Sequence, residues 1–387
     1  MLERLKLELE KLKLEGKLRE CHPCSAREGG KIAIRGQRVT DFTSWDFLNV
    51  NALTPVRRAL QSEVEQFGIG SCSSRLSSGT YPAHLAFEIR LARFLGLESC
   101  VLFSSTNQAV LSLLTAFVTE RDCLIVDERE DTPLIDAAHL VGADVIHFAA
   151  HQPETLTALL ERAKRYRSRF LCVESLSPHS GEKLDLAAIL LGIGKSDTQL
   201  FVDESFALGV LGLRGAGGLE QQQILSGVTC VYGSLARGFG AYGAFVAGSR
   251  VLTNYLLNHS RTFRSENVLP ACIAAALERI VDAVELNHAG REKLKALSRK
   301  LRRGLLELGL LKDATVDTPL ICIGVSTRRI ADEIAQALFQ RRFLVEALSS
   351  GATLDQSGVV RMLLNVEHSA EDIDKLLGAV ADVSRRV

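Results

Sequence analysis

Short apolar runs punctuate the first two thirds of the chain: CVLFSS (100–105), DCLIVDE (122–128), ADVIHFAA (143–150), RFLCVES (169–175), QLFVDES (199–205), TCVYGS (229–234) and GAFVAGS (243–249). Many are rich in Val, Ile, Phe and Cys and are apolar at odd and even positions alike. A strand with one wet face alternates, whereas a strand covered on both faces does not. These runs therefore predict the buried strands of a mostly parallel, seven-stranded sheet. Most gaps between them carry helical spacing. Leu85, Ile89, Leu91 and Phe94 recur at helix-like intervals in AHLAFEIRLARFLG (83–96), as do Leu156, Leu159 and Leu160 in PETLTALLERAKRYR (153–167). Strand and helix in alternation predict an α/β domain with helices flanking the sheet.

Near residue 250 the pattern changes. A long helical stretch (269–310) precedes strand-like PLICIGV (319–325), a helix near 328–341, strand-like VVRMLLNV (359–366) and a last helix at 370–383. This predicts three parts: an N-terminal helix or arm (1–50), a large domain (51–255) and a smaller α+β domain (256–387). The opening MLERLKLELEKLKLEGKLRE alternates charge with leucine and lacks the apolar core of a secretion signal. It reads as an amphipathic helix, packed on its own chain or reaching a partner subunit. Ligands of open α/β sheets bind beyond the carboxyl ends of the strands, so chemistry is sought in the loops after 105, 128, 175, 205 and 234.

Composition narrows the function classes. Lys plus Arg and Asp plus Glu both total 46 in 387 residues, which gives no electrostatic case for nucleic acid. No apolar run reaches the roughly 18 residues of a membrane span. The nine cysteines are scattered, several inside strand-like runs where a thiol acts as a small hydrophobe, and this predicts a reducing, cytoplasmic setting. Cys21-His-Pro-Cys24 is the single CxxC and has no second ligand pair at zinc spacing, so no metal site is predicted.

Four blocks along the chain carry a family resemblance. FGIGSCSSRLSSGTYPAHLAFE (67–88) is similar to G-x-G-S-x-x-S-R-x-x-x-G-x-x-x-x-H-x-x-L-E, and VDESFALGVLGLRGAG (202–217) to V-D-E-A-H-x-x-G-x-x-G-x-x-G-x-G. GSLARGFGAYGAFVAGS (233–249) is similar to G-T-L-S-K-A-F-G-x-x-G-G-x-x-x-G-S, and VRMLLNVEHSAEDID (360–374) to R-x-x-x-x-x-x-H-T-x-E-D-I-D. These are the blocks of the α-oxoamine synthases, in family order and spacing over nearly the whole chain. The resemblance implies the fold of the fold-type-I enzymes, which use pyridoxal phosphate. It also implies condensation of an amino acid with an acyl-CoA, as in serine palmitoyltransferase and 8-amino-7-oxononanoate synthase.

The matched positions depart from that chemistry. The lysine that holds the cofactor as a Schiff base falls at Arg237, and a guanidinium stays protonated and forms no aldimine. No lysine occurs between Lys195 and Lys293. The ring-stacking histidine falls at Asp131 and the D-E-A-H histidine at Phe206, while Thr106 and Asn107 replace a glycine and an aromatic of the phosphate loop. The S-M-D-G turn becomes Pro178-His179-Ser180-Gly181 and the cross-dimer hydroxyl falls at Asn267. Ser234 keeps one of two phosphate hydroxyls, and Asp203 matches the partner of the pyridinium nitrogen. Arg361, Arg75 and His84 match substrate-side positions, where Arg361 would grip a carboxylate or serve as one end of a salt bridge.

The resemblance leads first to a catalytically degenerate subunit without covalent cofactor. Such a chain would support a lysine-bearing paralogue in a heterodimer, as in eukaryotic serine palmitoyltransferase. D-E-S-x-x-x-G-V-L-G (203–212) is similar to the inactive subunit of that enzyme. An active α-oxoamine synthase holding pyridoxal phosphate non-covalently is the second reading. A homodimeric binding or regulatory protein for an acyl-CoA or an amino acid is the third.

Overall fold

The chain enters its folded body through a hairpin, β1 (Lys31–Ile34) and β2 (Gln37–Asp41). All seven apolar runs of the first two thirds then form one sheet. These strands are β3 (Ser99–Phe103), β4 (Cys123–Asp127), β5 (Asp144–Phe148), β6 (Arg169–Glu174), β7 (Thr198–Asp203), β8 (Cys230–Ser234) and β9 (Ala244–Gly248). Their order is β3-β9-β8-β7-β6-β4-β5, and β9 alone runs antiparallel to its neighbours. The computed structural model describes the whole chain apart from residues 15–17, 130–132, 266, 350–356 and 385–387. Central strands β8 and β9 are buried at every residue, as expected where helices cover both faces. Edge strand β5 differs, with Asp144 and His147 in solvent.

Two helical expectations are corrected. Over Pro82–Leu95 the face in the core is His84, Phe87, Glu88, Leu91, Ala92, Phe94 and Leu95, while Leu85 and Ile89 are exposed. Both rows have helical spacing, and the larger aromatic row takes the core. The long stretch 269–310 is two helices, Ala271–Leu286 and His288–Glu307, broken at Asn287, whose side-chain oxygen accepts from Gly290 N at 2.9 Å. An Asn side chain competes well with the helix for backbone donors, so it starts a new helix rather than continuing the old one.

The C-terminal part adds β10 (Leu320–Val325), β11 (Phe343–Leu344), β12 (Glu346–Ser349) and β13 (Gly358–Leu363). β10, β13 and β12 form an antiparallel sheet, whereas β11 joins the N-terminal hairpin through β2. The helix Leu2–Leu14 buries none of its residues. Six cysteines are buried, Cys21, Cys24 and Cys72 are exposed, and none of the nine is joined in a disulfide among the described residues. Among the described residues no helix is long and apolar enough to cross a membrane, and no three His, Cys, Asp or Glu side chains could together hold a metal ion.

Candidate functional site

Parallel register brings the ends of three strands level: Glu174 of β6 lies opposite Asp203 of β7, which lies opposite Tyr232 of β8. Asp203 is almost fully buried, and its Oδ1 accepts the backbone N–H of Ser205 at 2.6 Å. Burial pushes its carboxyl up, against the pull of Ser205 and of the charge on Arg237. Ser205 Oγ accepts from Ser234 N at 2.8 Å, and Ser234 Oγ accepts from Ala236 N at 3.2 Å. These bonds lock the turn after β7 to the loop after β8. Glu204, wholly buried, accepts from Gly218 N, Leu219 N and Ser175 Oγ at 2.8, 2.9 and 2.5 Å. Desolvation raises its carboxyl to about 7 despite those donors.

The loop after β8 carries Arg237 at a fixed place because two glycines let the backbone pass. A Cβ on Gly238 would lie 2.4 Å from Leu208 O, and one on Gly240 would lie 2.4 Å from Asp46 Cβ; both have φ near +60°. Asn51 Nδ2 donates to Gly240 O at 2.7 Å and to Phe239 O at 3.2 Å, and Asp46 in turn accepts from Asn51. So held, Arg237 places its guanidinium 4.9 Å from the ring centre of Phe206 and 5.8 Å from that of Trp45. Phe206 is buried and has a second guanidinium, Arg361, 5.6 Å from its ring centre. Trp45, Arg237, Phe206 and Arg361 thus form a continuous series of cation–π contacts.

Arg361 is committed elsewhere. Its Nε donates to Glu346 Oε2 at 2.7 Å and its Nη1 to Pro178 O at 3.0 Å. Glu346 and Arg361 are cross-strand partners on β12 and β13, so this pair is built into the sheet. The carboxylate at Arg361 is therefore the protein's own. Arg75 is likewise spent, with Nη1 and Nη2 on the two oxygens of Glu88 at 2.7 and 2.9 Å. His84 is fully buried. Its Nδ1 accepts from Tyr81 N, and its Nε2 lies 2.6 Å from Leu269 O, so the ring caps its own helix. Desolvation lowers its pKa to about 4.

Thr106 and Asn107 open the helix Thr106–Phe117, whose N-cap Ser105 accepts from Gln108 N. Asn267 bridges to Ser74, and its carbonyl accepts from Ser104 Oγ within the same chain. Asp131 lies outside the described residues. The structure therefore gathers Asp203, Ser234, Phe206, Arg237 and Arg361 around one centre and gives Arg75 and His84 scaffold contacts. Sequence reasoning missed Trp45, Asn51 and Glu346. Glu346 could have been sought as the acid one β-hairpin before Arg361, whereas Trp45 and Asn51 lie far from the loop they hold and had no local signal.

A family model, "Aminotransferase class I and II", matches residues 38–380. An 8-amino-7-oxononanoate synthase from Anaeromyxobacter dehalogenans is 30% identical over 376 residues, which is 97% of this chain and 94% of the relative. The chain belongs to the aminotransferase class I and II family, among its α-oxoamine synthases. Another 8-amino-7-oxononanoate synthase, from Saccharophagus degradans, is 27% identical over 99% of this chain and 97% of its own length. Among solved structures, the serine palmitoyltransferase of Sphingomonas wittichii superposes with a TM-score of 0.91 at 23% identity, covering 99% of this chain and 97% of that one. A serine palmitoyltransferase described with pyridoxal phosphate as its internal aldimine gives a TM-score of 0.90 at 22% identity, over 99% and 97% of the two chains.

The α-oxoamine synthase frame allows the cofactor of the family to be tested against these side chains. Asp203, Ser234 and the helix N-terminus at Thr106 suit a pyridinium nitrogen and a phosphate. At the matched place after β8 an aldehyde would meet Arg237, whose guanidinium stays protonated, and not a lysine amine. Lys183, in the strand-edge segment after the Pro178 turn, is directed to Asp317 at 3.2 Å. The residues at the centre do not fit a covalently held pyridoxal phosphate.

Proposed function

We propose that this α-oxoamine synthase homologue is a catalytically degenerate subunit that supports a lysine-bearing paralogue. The observation that carries the reading is the environment of Arg237. The position that should offer a neutral amine holds a permanent cation, stacked on Phe206 and Trp45, in an interval without lysine from 196 to 292. The D-E-A-H histidine is replaced by a ring, Phe206, that both Arg237 and Arg361 approach. A lysine introduced by one change would meet that ring instead of a hydrogen-bonding partner. The scaffold around the centre is kept intact, with buried networks at Glu204, Arg75 and His84. Retention of fold with loss of the reacting group fits a chain selected for association. The reaction of the complex would be the partner's: condensation of an amino acid with an acyl-CoA, of the kind the related synthases are named for.

The test is to purify the chain under native conditions from the cells that produce it and identify what accompanies it. The expected result is a heterodimer with a chain of similar size that keeps lysine after its own G-T-L-S motif. Synthase activity should be found in the complex and not in this chain alone. A homodimer with synthase activity of its own would contradict the proposal.

A further inference from the structure

β5 is the last strand of the seven-stranded sheet and pairs with β4 alone. The ladder fixes which of its backbone groups face inward. Glu128 N donates to Phe148 O at 2.9 Å, so the N–H and C=O of Phe148 face β4. Successive residues of a strand turn these groups to opposite sides, so those of Val145 and His147 face outward. Among the described residues they meet no further backbone or side-chain partner. Unpaired groups along an open edge are a template for another strand. A cavity of about 780 Å³ runs along this edge. Four consecutive residues, Val145 to Phe148, line it, and their side chains alternate between the two faces of the sheet, so it follows the edge and not one face. Its other wall is the helix Leu156–Arg162 and the turn Ala163–Arg165, with Leu159 and Ala163 apolar and Arg162 and Arg165 charged. No Asp or Glu lines it. Neighbouring acids are committed: Glu161 pairs with Lys164 at 2.5 Å, and Asp144 accepts from Tyr166 Oη at 2.5 Å. Arg165 donates to the same Tyr166 Oη at 2.7 Å, while the Arg162 guanidinium has no hydrogen bond or ion pair among the described residues.

We propose that the β5 edge is a docking site for an acidic, extended peptide segment of another protein, which adds a strand to the sheet. Backbone hydrogen bonds to Val145 and His147 supply the attachment, and Arg162 and Arg165 supply the preference for acid. Ile146 packs with Leu159 on the helix side of the sheet, whereas Val145 packs on the opposite side. Side chains of an added strand alternate in the same way. Acids at every second position therefore meet the two arginines, and the residues between them lie against Val145. A second copy of this chain fits less well. Antiparallel pairing of two β5 edges about a two-fold axis puts the same face of both copies on one side, which brings the arginines of one beside those of the other.

The probe is a synthetic peptide of alternating glutamate and valine, labelled at one end and titrated with the full chain in fluorescence anisotropy. Saturable binding that weakens at high salt is expected, with none for the matching peptide of lysine and valine. His147→Pro changes an exposed side chain and removes an N–H that makes no bond within the sheet, and it should weaken binding at least about tenfold. Arg162→Glu together with Arg165→Glu should weaken it about as much, by placing like charges opposite. If His147→Pro does not fold, the glutamate–valine peptide with every backbone amide N-methylated tests the same ladder from the ligand's side, and it should not bind. No saturable binding, equal binding of the lysine peptide, or unaltered affinity for the N-methylated peptide or in the charge-reversed variant would overturn the proposal. So would a dimer of this chain that His147→Pro dissolves, because it would assign the edge to a second copy.

Discussion

Phe206 occupies the position where a member of this family is expected to carry a histidine, and its environment explains the change. With Arg237 at 4.9 Å and Arg361 at 5.6 Å from its ring centre, Phe206 attracts both guanidiniums through its π-system, whereas an imidazole that took up a proton would repel them. The ring and the Arg237 cation therefore belong together, and each makes the other tolerable in a half-buried place. Replacing Phe206 by Leu keeps most of the volume and removes the π-face. Chemical denaturation should show a loss of about 2 kcal/mol, from a small cavity and two cation–π contacts. A loss below about 0.5 kcal/mol would mean that the stacked series contributes nothing to the centre.

At the scale of elements, the loop 67–79 is tied to the helix Pro82–Leu95 and to β3 through one carboxylate. Glu88 Oε1 accepts from both Arg75 Nη1 and Leu102 N, and Oε2 accepts from Arg75 Nη2. Both side chains are nearly buried. Arg75→Ala strands the Glu88 charge and should lower stability by roughly 3–5 kcal/mol in a urea titration. An unchanged midpoint would return Arg75 to a substrate role. The same elements show what a sequence can and cannot tell. The seven strands were legible because burial on both faces removes alternation, and the ends of β7 and β8 were legible through the D-E and G-S-L-A-R blocks. The burying face of Pro82–Leu95 was not, because Leu85 and Ile89 make as good a helical row as Phe87 and Leu91, and only the sheet beneath chooses between them. The break at Asn287 hid inside continuous helical periodicity. Glu346 opposite Arg361 depends on strand pairing, and Trp45 against Arg237 depends on contacts nearly two hundred positions apart in the chain.

Across the whole molecule, buried titratable groups give stability a pH dependence whose sign is worked out group by group. His84 and His368 are neutral in the fold, each with Nδ1 accepting a backbone N–H and a pKa lowered to about 4 by desolvation. The unfolded chain takes up those protons near pH 6.5, so each histidine removes stability as pH falls from about 6.5 to 4, on the order of 3 kcal/mol in full. Glu204 acts the other way. Its carboxyl titrates at about 7 in the fold and near 4.5 unfolded, so it adds stability as pH falls through that window. Burial raises the carboxyls of Asp203 and Asp46 in the same sense, so they oppose the histidines together with Glu204 and the histidine share of the slope is read from a variant. Below about 4.5 Glu204 is protonated in both states and no longer opposes the histidines. Relative to the wild-type chain, His368→Gln should lose less stability as pH falls from about 6.5 to 4; an unchanged pH profile would show that this histidine is not held neutral.

The same scale holds the central claim, that this chain keeps the α-oxoamine synthase fold without the covalent cofactor chemistry. The most direct test is the intact mass of the purified chain after incubation with pyridoxal phosphate and reduction with borohydride. The account predicts no stoichiometric pyridoxyl adduct on the wild-type chain and none on Arg237→Lys, where Phe206 still lies against residue 237. A stoichiometric adduct on the wild-type chain, mapped to a single lysine, would contradict it and identify the amine that Arg237 was taken to have replaced.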